Sequence, residues 1–260
     1  MRYAFTIIYN GLHHLTNGNF VDVMVNSFDK WVIVEGFSGN KGSTAWCNNL
    51  NIPKNSTDGT IEHIAQLMEK YPNILFHSKK GGWLSKDEQV NKAISLLKSE
   101  SNGWLWQIDV DEQWKETDFE EAESMMTKDV SVAGAFHFNH LLCKDMDGKQ
   151  LVGKGDWGDN LHTRLWWWTG QTFISHEPPI MQYQKSIKAL PQVYEHYSYY
   201  FESDVVFKSK YYKGYASLYR NWKRLQSKKF KYPISTKELF GNSTRINHSK
   251  SYIIPQNNGL

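Results

Sequence analysis

Residues 104–114 read Trp-Leu-Trp-Gln-Ile-Asp-Val-Asp-Glu-Gln-Trp. An apolar run suited to burial ends in three carboxylates, Asp109, Asp111 and Glu112. Bare carboxylates resist leaving water and repel one another, so something positive has to meet them. The run at 104–108 reads as a strand. Two residues apart on an extended segment, Asp109 and Asp111 can point to the same side. Together they can hold a divalent cation, Mn2+ or Mg2+, through oxygen, and the cation can hold a diphosphate. The competing reading is a solvated acidic turn with Glu112 on the surface.

Working outward, the first half alternates strand and helix. Residues 3–9, 31–34 and 73–77 join 104–108 as strands, and their unbroken apolar runs suit a sheet covered on both faces. Residues 61–70 follow helical spacing. Ser85 and Glu88 form a capping box ahead of Val90, Ala93, Ile94 and Leu97, and Thr117 and Glu120 form a second one after the acidic knot. This rhythm predicts an α/β fold: a mostly parallel central sheet flanked by helices. In such a sheet, ligands bind beyond the carboxyl ends of the strands, where Asp109 and Asp111 stand.

The second half is less regular. Residues 131–142 read as a strand, 144–156 as a polar, glycine-rich loop, and 161–168 and 172–176 as strands. Residues 205–226 read as one amphipathic helix, and 234–260 as a partly mobile tail. The expected organisation is a catalytic domain over 1–204, with a C-terminal helical extension over 205–260 packed on it.

Composition narrows the partners. The 260 residues carry 30 basic and 27 acidic side chains, a net charge of +3. That balance implies neither a nucleic-acid partner nor an anionic membrane, and the local basic bias at 208–231 reads first as a solvated helix face. Eleven Trp and 14 Tyr fill cores and also stack on flat ligand faces. Two cysteines, Cys47 and Cys143, make neither a disulfide framework nor a zinc pair. No stretch is apolar enough to span a bilayer, and residues 1–15 lack a signal-peptide core. The expectation is a cytoplasmic protein without a transmembrane segment, with peripheral membrane contact left open.

Other candidates stand at strand ends. Glu35 could accept hydrogen bonds from a nucleobase or ribose, and Asn10 could line the same crevice. Lys86, opening a helix, could meet a phosphate. Glu177, in His176-Glu177-Pro178-Pro179, could act as a general base. His196 could complete the cation site as a neutral imidazole. Trp157 and Trp166–Trp168 could pack on a sugar, with Trp166 and Trp168 on one strand face and Trp167 on the other.

The pattern resembles a GT-A glycosyltransferase of the family 2 type. Tyr9-Asn10 is similar to that family's opening strand end, with Gly11 where a Glu is usual. Val32-Ile33-Val34-Glu35-Gly36 resembles its nucleobase segment, 83–91 the region near the diphosphate, and Ile108-Asp109-Val110-Asp111 its metal-binding Asp-x-Asp. Arg164-Leu165-Trp166, His176-Glu177, His196-Tyr197, Lys208 and Tyr211-Tyr212 resemble a bacterial subgroup that adds sugars to lipopolysaccharide cores. The resemblance implies a Rossmann-like GT-A fold and a metal-dependent, inverting transfer from a nucleotide sugar, read as a UDP-sugar, to a glycan or glycolipid hydroxyl. It implies Glu177 as base and Tyr9, Asn10, Glu35, Lys86 and Asp109 as donor contacts. The cation ligands are read as Asp109, Asp111 and His196, and the acceptor contacts as Trp157, Trp167 and His176. Divalent-metal phosphodiester hydrolysis and non-catalytic sugar binding stay open as alternatives.

Overall fold

The computed structural model describes residues 1–98, 100–155, 161–243 and 246–256. In order, the elements are β1 (Arg2–Ile8), α1 (Leu12–Leu15), α2 (Phe20–Ser27), β2 (Lys30–Glu35), a 3-10 turn (Gly42–Thr44), α3 (Thr60–Lys70), β3 (Ile74–Ser78), α4 (Lys86–Ser95), β4 (Gly103–Gln107), β5 (Glu112–Gln113) and α5 (Glu116–Met125). Then come β6 (Val132–Lys144), β7 (Gln150–Gly155), β8 (His162–Trp168), β9 (Phe173–His176), β10 (Pro179–Met181), β11 (Ser186–His196), α6 (Glu202–Tyr211), α7 (Leu218–Ser227), β12 (Ile234–Ser235), α8 (Lys237–Phe240) and β13 (Ser251–Pro255). The sequence reading divides the chain once, after residue 204. By compactness it divides into Met1–Ala45, Asn51–Phe136 and Thr163–Gln192 as one unit, and Trp46–Leu50, His137–His162 and Val193–Leu260 as the other.

The first unit is mixed α/β. β3, β2, β1 and β4 are parallel neighbours in that order, and β8 adds antiparallel to β4. Apolar runs explain the order: five of the six residues of β2 are buried and all five of β4. α4 covers the sheet with Val90, Ala93 and Ile94, which with Leu97 in the turn beyond it join Tyr3, Phe5, Val34 and Leu105 in one core. Half of the expected capping box forms: the Glu88 N–H donates to Ser85 Oγ at 3.2 Å, while the Glu88 carboxylate accepts from the Leu84 N–H and Lys79 instead of the Ser85 N–H. α5 begins earlier than Thr117 suggested, because the Asp118 carboxylate accepts the Lys115 N–H at 3.0 Å. The chain steps outward from β1 to β3, then returns to lay β4 on the other side of β1. The strand order therefore reverses between β1 and β4, the point at which open α/β sheets bind ligands beyond the carboxyl ends of their strands.

The second unit departs further from expectation. Residues 144–156 contain β7, which folds back on β6 around an Asp145 turn whose Oδ1 accepts the Asp147 and Lys149 N–H groups, each at 2.9 Å. The expected mobile tail contains β12, α8 and β13, and β13 pairs with β7 along its length. The single helix at 205–226 is two, α6 and α7, broken where Gly214 takes φ +85°. The C-terminal part is thus helices and antiparallel strands around a core of Leu142, Leu151, Leu218, Trp222, Leu225 and Ile253, rather than a helical extension alone. Among the described residues, no helix is long and apolar enough to cross a membrane.

Candidate active site

The acidic knot at the end of β4 meets an arginine. Arg164, on β8, donates from Nε and Nη2 to Glu112 Oε1 at 2.9 and 2.6 Å, and from Nη2 to Asp109 Oδ2 at 2.9 Å. Trp114 Nε1 donates to Glu112 Oε2 at 3.1 Å. Glu112 is fully buried, so it is not the surface residue of a solvated turn. Arg164 takes part of the counter-charge role that the sequence reading gave to a cation alone. Burial would raise the Asp109 carboxyl, but Arg164, helped by Lys86, outweighs that and holds it below its ordinary value. Among the described residues, Asp109 Oδ1 keeps a long 3.4 Å contact from Gln107 Nε2.

Asp109 and Asp111 fall in no group of three His, Cys, Asp or Glu, among the described residues, whose ligand atoms lie within 4.8 Å of one another. Two carboxylates fit Mg2+ or Mn2+ in the mode that keeps water and substrate phosphate as the remaining ligands, not an all-protein cage.

The β9–β10 hairpin brings a second group of residues. Phe173 anchors it, edge-on to Phe5 and Trp166 with centroids 5.6 and 5.2 Å apart. His176 ends β9, with Glu177 in the turn. His176 is buried, and burial, reinforced by Lys86, pushes its imidazole down to about 3. It is therefore neutral at physiological pH, and its Nδ1 has no hydrogen-bond partner among the described residues. Glu177 is half-buried, and its carboxylate makes no hydrogen bond or ion pair among the described residues. Burial would raise the Asp87 carboxyl, but hydrogen bonds from Ser43 and the His176 N–H hold it below its usual value.

The residues expected to contact a nucleotide are engaged within the protein. Glu35 is buried beneath residues 53–57 and accepts from Asn55 Nδ2 (2.9 Å), Ser78 Oγ (2.6 Å) and the Ser56 N–H (2.6 Å). It braces a loop rather than facing a crevice. Asn10, at φ +49°, donates its N–H to Ser56 Oγ and accepts the Thr57 N–H, both at 2.8 Å. Tyr9 Oη donates to Pro53 O at 2.8 Å, and its ring lies edge-on to Phe37. At Gly11, a Cβ would come within 2.8 Å of two Ile8 side-chain carbons, which accounts for a glycine here.

Trp166 and Trp168 are buried on one face as expected, while Trp167 is half-buried. Trp167 pairs with Trp104 at the start of β4, roughly 15 Å along the strand from Asp109. The structure therefore does not bring it to the acidic end. Trp157, with Asp156 and Asp159, lies outside the described residues. His196 belongs to the second unit, where its ring stacks on His140 at 5.2 Å. Sequence reasoning missed two things: Arg164 as partner of Asp109 and Glu112, and the contacts of Ser43 and Asp87. A lone arginine directly before Leu-Trp-Trp-Trp signalled the first, since a charge in an apolar strand needs an opposite charge.

No sequence profile of a known family matches the chain, and no curated protein matches it. Among solved structures, the crystal structure of S. aureus TarS 1–349 is similar at 11% identity, with a TM-score of 0.42. The match covers 76% of this chain and spans 60% of that one. A likeness at this level carries no functional weight.

Proposed function

We propose that this protein is a glycosyltransferase, moving a sugar from a nucleoside diphosphate sugar, read as a UDP-sugar, to a hydroxyl of a glycan or glycolipid, with inversion at the anomeric carbon. One observation carries the reading: Asp109 and Asp111 follow β4 at the point where the strand order reverses, the place where open α/β sheets bind ligands.

When bound there, a divalent cation stabilises the negative charge of a leaving diphosphate. Asp109 and Asp111 would hold it, with Arg164 keeping Asp109 ionised. Lys86, the first residue of α4, offers a positive charge beside a helix N-terminus, a combination suited to phosphate. Glu177 takes the proton of the acceptor hydroxyl. The freed oxygen bonds to the anomeric carbon as the bond to the diphosphate oxygen breaks. His176, neutral and with an unpartnered nitrogen, offers a hydrogen bond to a substrate hydroxyl without adding charge. Glu35 and Asn10 act indirectly here, by shaping residues 53–57.

The acceptor side is read from charge. Residues 205–237 carry ten basic and no acidic side chains, which suits an anionic glycan or an anionic membrane surface. The test of the reaction is Glu177→Gln, assayed for transfer from UDP-sugars and separately for UDP binding. Binding should survive and transfer should fall at least 100-fold, the scale of a lost general base. Unchanged transfer would remove Glu177 as the base.

A further inference from the structure

The β9–β10 hairpin pairs with no other strand among the described residues, so something else must fix the edge of β9. α4 does so with side chains. Asn91 accepts the Phe173 N–H at 2.8 Å and donates to Phe173 O at 3.0 Å, the two bonds a neighbouring strand would make. One helical turn earlier, on the same face, Asp87 Oδ1 accepts the His176 N–H at 2.7 Å. Ser43 completes the clasp. Its N–H donates to Asp87 Oδ2 at 2.8 Å and its Oγ to Asp87 Oδ1 at 2.5 Å, while Ser43 Oγ accepts the Glu177 N–H at 3.3 Å. The preceding residue has to be glycine: Gly42 takes φ +60°, and a Cβ there would lie 2.1 Å from Asp87 Oδ2.

We propose that Asp87 and Ser43 are positioning residues that fix the backbone of His176 and Glu177 and thereby aim the Glu177 carboxylate. The functional half of this rests on Glu177 being the base; the structural half does not. The Glu177 side chain has no polar partner of its own among the described residues, so its backbone sets its direction. Misplacement of a reacting group by about 1 Å can cost roughly 100-fold in rate.

The experiment compares Ser43→Ala, Ser43→Thr and Asp87→Asn with wild type in two readouts. The first is amide hydrogen exchange. The His176 and Glu177 amides should exchange at least 10-fold faster in Ser43→Ala and Asp87→Asn, with β1 unchanged and with Thr at position 43 restoring protection. Unchanged exchange at 176 and 177 overturns the clasp. The second is UDP release from a panel of UDP-sugars. In Ser43→Ala, kcat should fall at least 10-fold while KM for the donor stays within about twofold, and Ser43→Thr should recover it. Faster exchange with an unchanged kcat overturns the positioning role. If wild type itself turns over no UDP-sugar, the glycosyltransferase reading fails, and the exchange data alone decide whether the clasp holds the tip.

Discussion

Removing Arg164 should be among the most damaging single changes in the protein. Its side chain is 5% exposed, and its guanidinium donates two charge-assisted hydrogen bonds to Glu112 and one to Asp109. In Arg164→Met the volume is nearly kept, but Glu112, with no exposure, loses both guanidinium hydrogen bonds and the ion pair that neutralised it. Stranding a buried charge in this way costs about 3–5 kcal/mol. Asp109 adds little to that loss, because its side chain is 27% exposed and water screens it. Replacing both partners, as in Arg164→Met with Glu112→Leu, removes the stranded charge and should recover most of the loss. The assay is urea unfolding followed by Trp fluorescence, which the 11 Trp make strong. The reasoning is refuted if Arg164→Met lies within about 0.5 kcal/mol of wild type, or if the double variant loses the sum of the two single losses.

Other expectations follow from the same geometry. His176 is held neutral down to about 3, whereas an unfolded His binds a proton near 6.5, so stability should fall as pH drops below about 6.5. From pH 7.5 to 5 this one group should cost about 2 kcal/mol, a slope that His176→Gln should flatten; an identical pH dependence in that variant would contradict the buried neutral imidazole. Gly42→Ala should destabilise the protein and speed exchange at His176, because the new Cβ would displace the Asp87 carboxylate; an unperturbed exchange rate would count against the clasp. Binding to vesicles containing anionic lipid should weaken about 100-fold in a triple Lys228→Gln, Lys229→Gln, Lys231→Gln variant, at roughly 1 kcal/mol per lysine. Salt-insensitive binding, or none, would remove the membrane-surface reading of residues 205–237.

The parallel strands were legible because each is a local apolar run. β1, β2, β3 and β4 lie within a residue or two of where residues 3–9, 31–34, 73–77 and 104–108 placed them. The face of α4 was legible for the same reason, since Val90, Ala93, Ile94 and Leu97 carry the helical period and are all buried. β7 and β13 were not: Gln-Leu-Val-Gly-Lys-Gly and Ser-Tyr-Ile-Ile-Pro are short, set among Gly, Asn and Lys, and stabilised by pairing with each other across about a hundred residues. At the site, the positions of Asp109, His176 and Glu177 at strand ends could be read from pattern. The burial of Glu35 could not, because residues 53–57 cover it from a distance in sequence. The clasp was hidden likewise, since Ser43, Asp87 and His176 stand 44 and 89 residues apart.

The most direct measurement for the central claim is thermal unfolding with UDP and GDP, with and without Mn2+, in wild type and Asp111→Asn. A ligand that binds only the folded state raises the melting temperature by mass action. UDP should raise the melting temperature only with Mn2+, and not in Asp111→Asn, with the variant alone melting close to wild type. No rise with either nucleotide, or a rise indifferent to both Mn2+ and Asp111, would contradict that claim.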